Sequence, residues 1–351
     1  MSGSVFFMMV IFSFFPKFNK PQRTSILRAT PSMLSPTGAT KNAALQFALV
    51  LTTLPFLFLT PVFSAEKKSV AGCHAEDLYD DTKNASNSTA ADWHQVHTCA
   101  MEEDDTATLM MLYANGFGVQ RDLPLAIHYA CRIDGAIAEV TARVDYLAAH
   151  DKDHQLPDFD ICDHATSGFL TGLCSRRWER QESKLRDQRI IQIKQQLAPV
   201  ALIKFNALND AATAFAENRG AMETDLSGSL RASFRTEATS AAMKSFMQLL
   251  EILERDGGKT LPRINMQQAE QQLNRQYRKV MRSKNLMEKA STTSFASTIS
   301  KQNVRQTQRS WLYYRDCWVH FAQARYPGLD PTLLSAYLTR QRIDQLAELS
   351  Q

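Results

Sequence analysis

The side chains that could do chemistry in this 351-residue chain are carboxylates and thiols, and their spacing points to binding rather than to bond-making. Carboxylates gather in two runs, Asp77, Asp80 and Asp81, then Glu102, Glu103, Asp104 and Asp105. Such runs can form an acidic patch that holds a cationic protein partner through complementary potential. No Gly-x-Ser-x-Gly nucleophile turn, His-Glu-x-x-His zinc helix or Gly-rich phosphate loop occurs, so neither a catalytic residue nor a cofactor is expected. His94 and His97 share one helical face but lack a nearby third ligand, and no Cys-x-x-Cys has a matching second pair. A metal site is therefore not expected.

The six cysteines, Cys73, Cys99, Cys131, Cys162, Cys174 and Cys317, all lie beyond residue 65. An even number in an exported chain points to disulfides whose connectivity the sequence leaves open. Cys162 with Cys174 is the favoured pair, because the short, loop-like stretch between them contains Gly168 and Gly172. Cys73, Cys99 and Cys131 are further candidates. Cys317 falls inside a strongly patterned helix, where a buried free thiol is the alternative.

Export is expected from the apolar run Ala43 to Val62, which follows Lys41 and precedes the small residues Ser64 and Ala65. That is the layout of a secretory signal cleaved after Ser64 or Ala65. A run of this length could also remain as a membrane anchor, but Pro55 and Pro61 weaken it as a spanning helix. The tetrad Val70-Ala71-Gly72-Cys73 has the look of a lipoprotein box, yet Glu66, Lys67 and Lys68 separate it from the apolar run, so lipidation is not expected. Membrane contact is expected only through the uncleaved segment, and export disfavours nucleic acid as a partner.

A net charge of +4 hides a strong asymmetry. Lys and Arg against Asp and Glu number 5 and 0 in residues 1–65, 7 and 19 in residues 66–168, and 28 and 17 in residues 169–351. An acidic part thus precedes a basic one, and the two either complement each other or serve an external partner. The expected domains are an N-terminal extension and signal over 1–65, an acidic helical region over 66–155, a helical domain over 156–260 and a second over 261–351.

Helices dominate the reading, and the fold class is all-α. Residues 106–134 read as two helices around a tight turn. Leu109, Leu112 and Tyr113 share a face, Gly116 and Gly118 supply positive φ, and Asp122 caps a second helix that starts with Pro124. Weaker helices flank this pair at 88–101 and 136–149. Further helices are expected at 165–196, 199–218, 226–256, 265–284, 298–325 and 331–348, with breaks at Pro199, Gly220, Gly257-Gly258 and Pro327-Gly328. No stretch alternates with period two, so no sheet is expected. Trp311, Tyr314, Trp318 and Phe321 step by three, four and three, the pattern of a helix face packed in a core.

The stretch Leu112-Tyr113-Ala114-Asn115-Gly116-Phe117-Gly118-Val119, with Asp122 and Ala126 after it, resembles the Sel-one-like repeat, a relative of the tetratricopeptide repeat. The resemblance implies a small protein-binding solenoid, in which Cys99 and Cys131 would staple helices to their neighbours. Farther on, Leu273, Asn274 and Tyr277, then Gln308, Arg309, Trp311, Tyr314, Arg315 and Asp316, then Arg342 resemble the LprI family of bacterial exported domains over roughly 265–349. These motif residues are expected to be structural. Here Gln271 and Gln272 stand where that family usually has an acid. A fainter, ungapped echo aligns Phe205, Leu208, Asp210, Phe215, Ala216 and Arg219 with Trp311, Tyr314, Asp316, Phe321, Ala322 and Arg325. Residues 160–260 are therefore expected to hold a diverged copy of the same unit.

The LprI resemblance implies a non-enzymatic, protein-binding function, the inhibition of lysozyme or another muramidase, in the bacterial periplasm or after secretion. The alternative is a periplasmic scaffold that docks a partner on the Sel-one-like repeat.

Overall fold

The computed structural model describes residues 73–150, 158–288 and 298–349. The apolar run, its cleavage positions and Val70 to Gly72 lie outside the described residues. Among those described, no helix is long and apolar enough to cross a membrane, and the only β pairing is one isolated bridge between Met287 and Ser300. All other regular structure is helical. The α-helices are α1 (Ala75–Asn84), α2 (Ala90–Glu103), α3 (Thr106–Asn115), α4 (Leu123–Ala130), α5 (Ile137–Ala149), α6 (Gly168–Gln195), α7 (Pro199–Met222), α8 (Arg231–Asp256), α9 (Met266–Arg282), α10 (Lys301–Arg325) and α11 (Pro331–Glu348), with a 3-10 turn at Ile161–His164.

The helices begin where side chains can satisfy the first free amides. Thr89 and Asp92 form a reciprocal capping box on α2, Asp105 accepts from the amides of Ala107 and Thr108 at the start of α3, and Asp122 accepts from Leu125 at 2.9 Å. Asp330 accepts from Thr332 at 2.8 Å, with Pro331 in the first helical position. At the α3–α4 turn Gly116 takes φ +74° and closes α3 in the left-handed region, which a Cβ would penalise.

One expected break falls inside a helix instead. Gly220 lies within α7, which runs on to Met222. A Cβ there would meet Thr239 Oγ1 at 2.1 Å and the Arg235 carbonyl at 2.7 Å, so this glycine serves close packing on α8 rather than termination. Gly168 and Gly172, placed both in a loop-like stretch between the cysteines and inside the helix expected at 165–196, belong to the first turns of α6, where they let it approach Ser229 and Ala232.

Buried apolar side chains form two clusters. One spans Ala75 to Cys174 and packs Tyr79, Val96, Leu109, Met110, Leu112, Ala126, Tyr129, Leu147, Phe159 and Leu170. The other spans Ile190 to Leu346 and contains the aromatic stripe, with Trp311, Tyr314, Trp318 and Phe321 all buried beside Phe205, Phe215, Phe246 and Leu250. Helix α6 contributes to both, through Leu170 and Cys174 at its start and Ile190 and Ile193 near its end. In the second cluster α6 pairs with α8 and α9 pairs with α11, while α7 and α10 pack along each other. Phe205 meets Phe321 and Phe215 stacks on Tyr314 across that central pair. Arg325 at the end of α10 reaches Glu254 on α8 at 3.2 Å, and Arg219 on α7 reaches Glu348 on α11 at 3.2 Å.

Two disulfides hold the first cluster. Cys162 joins Cys174 across a Cα separation of 5.8 Å, and Cys73 joins Cys99 across 5.9 Å. The expectation that Cys131 joins a bridge is corrected. It remains an exposed thiol at the end of α4, because Cys99 is already taken by Cys73 and the one other free thiol, Cys317, is buried in the second cluster. Burial pushes the Cys317 thiol up, so it stays protonated and acts as a small apolar side chain.

Candidate protein-binding groove

Carboxylates gather where α1, α3, α5 and α6 begin, several of them half-buried and Glu139 fully buried. Helix α1 carries Glu76 and Asp77 in its first turn, favoured there by the helix dipole. The end of α2 supplies Glu103, whose Oε2 accepts from the Ala75 amide at 2.9 Å, and Asp105 caps α3. These groups line a depression with His74 and Arg180. A second, deeper cavity of about 250 Å³ shares Glu76 and Asp105 with it and adds Asp134 and Glu139. Its other walls are apolar, with Met111, Ile133, Ile161, Leu170, Leu173 and the exposed ring of Phe169 among them.

Burial raises the Glu76 carboxyl above its ordinary range, and the neighbouring Asp80 and Asp105 add to that, against the pull of Arg180 and Arg177. Glu76 is already joined to Arg180, with Arg177 3.9 Å away. Glu139 behaves in the opposite way. Burial acts to raise it, but the amides of Ser167 and Thr166 and the Ser167 hydroxyl hold it below its ordinary range. It accepts from Thr166 N at 2.7 Å and also from Ser167 N, fixing the first turn of α6. The two cavities share Glu76 and Asp105, so acids border the apolar walls of the second, chemistry that suits the apolar stem and charged head of a lysine or arginine.

The two acidic runs do not form one surface. Asp80 is 4% exposed and accepts from Arg177 Nε at 2.9 Å and Nη2 at 2.6 Å. Its place in an exposed patch is thus corrected, since α1 packs this carboxylate onto the cation of α6. Asp77 accepts from Arg180 at 3.1 Å and Asp81 from Lys184 at 2.8 Å. Asp104 is paired with Arg132 on the surface, and Glu102 is exposed. Of the seven, Asp77, Glu103 and Asp105 border the groove. Glu76, Asp134, Glu139 and Phe169 join them without a sequence motif. Only the run of acids beside Asp77 hinted at Glu76, and nothing local marked Glu139, whose partners lie 27 and 28 residues away.

The C-terminal motif residues are placed largely inside the second cluster. Arg342 is fully buried, donates to both Glu223 oxygens at 2.8 and 2.6 Å, and donates through Nε to Gln308 at 2.9 Å. Arg315 lies over the Trp311 ring, 5.0 Å from its centre, and joins Glu270 at 2.6 Å. Leu273 is buried and Tyr277 packs on the core, while Asn274, Arg309 and Asp316 remain exposed. His97 bonds the Tyr113 hydroxyl at 3.0 Å, and His94 is exposed. The one ligand-like cluster among the described residues, Cys73, Cys99 and Glu103, has both thiols consumed in a disulfide.

The described residues form an all-helical protein with an acid-bordered cavity beside α1, α3 and α6. Residues 263–349 match the family described as Lysozyme inhibitor LprI, a family of inhibitors rather than enzymes. This part of the chain is similar to that family and makes up about a quarter of the whole. The match does not extend to the Sel-one-like stretch, which gains no support from it. No curated protein and no solved structure matches.

Proposed function

We propose that this chain is an exported protein that binds and inhibits a cationic muramidase of the lysozyme type, with the acidic groove receiving a basic side chain of the enzyme. The observation that carries the reading is the LprI match at 263–349. The groove adds the chemistry, because the LprI-like part is itself rich in Lys and Arg and complementary potential favours an acidic surface for a basic target. Two disulfides fit an oxidising compartment, in keeping with export to the periplasm or beyond.

The same reading takes residues 160–260 as a second, diverged copy of the LprI-like unit. Matching helix pairings, α6 with α8 and α9 with α11, support it, as do the crosswise pairs Arg325–Glu254 and Arg219–Glu348.

The test is a cell-wall clearing assay with purified chain, residues 66–351, titrated against lysozyme. Inhibition is expected, and Asp77→Asn with Glu103→Gln should weaken it by about tenfold, as expected for losing roughly 1.4 kcal/mol of binding. No inhibition at large molar excess would sink the proposal for that enzyme. Unchanged inhibition by the double variant would move the contact away from the groove. Protonation of Glu76 should weaken binding as pH falls through its raised range, earlier than for an ordinary carboxylate.

A further inference from the structure

Helix α9 presents a solvent face with no carboxylate on it. Gln267, Gln268, Gln271, Gln272 and Asn274 occupy its first part, and Arg275, Arg278, Lys279 and Arg282 follow, all exposed. The single acid of the helix, Glu270, is held by Arg315 of α10. The four cations stand at i, i+3, i+4 and i+7, so they share one stripe about 10 Å long. With Ser283 they line one surface depression.

None of the four makes an ion pair among the described residues. Helix α6 offers the contrast, since Arg177, Arg180, Lys184, Arg186 and Arg189 are each joined to a carboxylate. Like charges left together on α9 repel one another, and an anionic ligand would remove that repulsion.

We propose that this face of α9 binds an acidic polysaccharide strand. Guanidinium groups at 275, 278 and 282 would take its carboxylates or phosphates, and the amides at 267, 271 and 274 would exchange hydrogen bonds with its hydroxyls. The combined row is straight and about 22 Å long, which suits a linear polymer. A membrane surface fits less well, because the apolar side of α9, Ala269, Leu273 and Val280, is buried and leaves nothing to insert among acyl chains. A single-stranded nucleic acid fits less well too, since this face exposes no aromatic ring on which a base could stack. The site is separate from the acidic groove, so its test is independent of lysozyme inhibition.

The experiment is affinity electrophoresis and calorimetry of the full chain with polygalacturonate. Dextran serves as the neutral polymer, and polyglutamate as an anion without sugar hydroxyls. Binding to polygalacturonate is expected, with at least a tenfold loss in the Arg275→Gln, Arg278→Gln, Lys279→Gln, Arg282→Gln variant and a shallower salt dependence. Gln271→Ala with Asn274→Ala should weaken polygalacturonate several-fold and leave any polyglutamate binding unchanged. All six positions are exposed, so melting curves should coincide with the parent. Should the fourfold variant melt early, Arg278→Gln with Arg282→Gln reads the same loss. Absent binding by the parent, undiminished binding by the cation variants, or equal affinity for polyglutamate, duplex DNA or phosphatidylglycerol vesicles would overturn the proposal.

Discussion

Each of the two regions holds one fully buried arginine in an ion pair, and the pair shows how one device leaves two different surfaces. Arg177 of α6 is bound by Asp80 and Asp160, with Glu76 at 3.9 Å, so one cation gathers several carboxylates. Arg342 of α11 meets a single carboxylate, Glu223, which also accepts from Arg219. In the first region several acids gather on Arg177, and one of them, Glu76, borders the groove. In the second, two arginines share the buried Glu223, and separate cations without an ion pair among the described residues lie along α9. The opposite charges of the two parts are thus neutralised only in part by each other, mainly where α1 meets α6.

The largest effect should come from removing the hubs. Arg342→Met should cost about 3–5 kcal/mol, because it leaves the fully buried Glu223 with only Arg219 beside it, and Arg177→Met should cost at least as much, because it leaves the buried Asp80 without its cation. Urea unfolding would measure both, and a smaller loss at Arg177 would reverse the comparison. Adding Glu223→Leu to Arg342→Met should recover much of the second loss, since the buried charge is then gone.

Reduction should separate the regions next. Both disulfides belong to the first cluster, and each removal should cost about 2–4 kcal/mol. Hydrogen exchange after reduction should show lost protection from α1 to the start of α6 and unchanged protection in α7, α10 and α11. Equal loss in both regions would mean that they unfold as one unit.

Glu139→Gln should have a smaller effect, about 1–3 kcal/mol, from weakened charge-assisted bonds to Ser167 and Thr166. The Glu139 carboxyl is held below its unfolded range. Its contribution is therefore fully present above the unfolded pKa and is lost as pH falls through the lower folded value. The variant should flatten the acid limb of stability in the first region, and an unchanged limb would remove Glu139 from this role.

The smallest effect is expected on the outer side of α11. Arg340 and Asp344 are both more than half exposed, and Arg340→Ala should change stability by less than about 0.5 kcal/mol. A larger thermal shift would show that surface pairs matter more here than the buried hubs imply.

Much of the fold was legible because helices are written locally. Expected helices at 199–218, 265–284, 298–325 and 331–348 appear as α7, α9, α10 and α11, and the expected cap at Asp122 acts as its residue type requires. The aromatic stripe on α10 was legible as core because a spacing of three and four repeats over several turns. Helix α1 left a weaker trace, since its first and last turns are mostly polar and few apolar side chains mark a face. Gly220 misled because a glycine that ends a helix and one that lets two helices touch look the same in sequence.

By itself, the sequence determined the all-helical class, the buried aromatic face and the separation of acidic from basic stretches, and it favoured the Cys162–Cys174 bridge without fixing the connectivity. Tertiary structure alone decided which of those charges remain available. Asp80 and Arg177 are 97 residues apart, and ion pairing depends on distance and burial rather than on sequence. Until α1 was laid on α6, Asp80 read as a surface acid equal to Glu103, whereas packing buried the first and left the second on the edge of a groove.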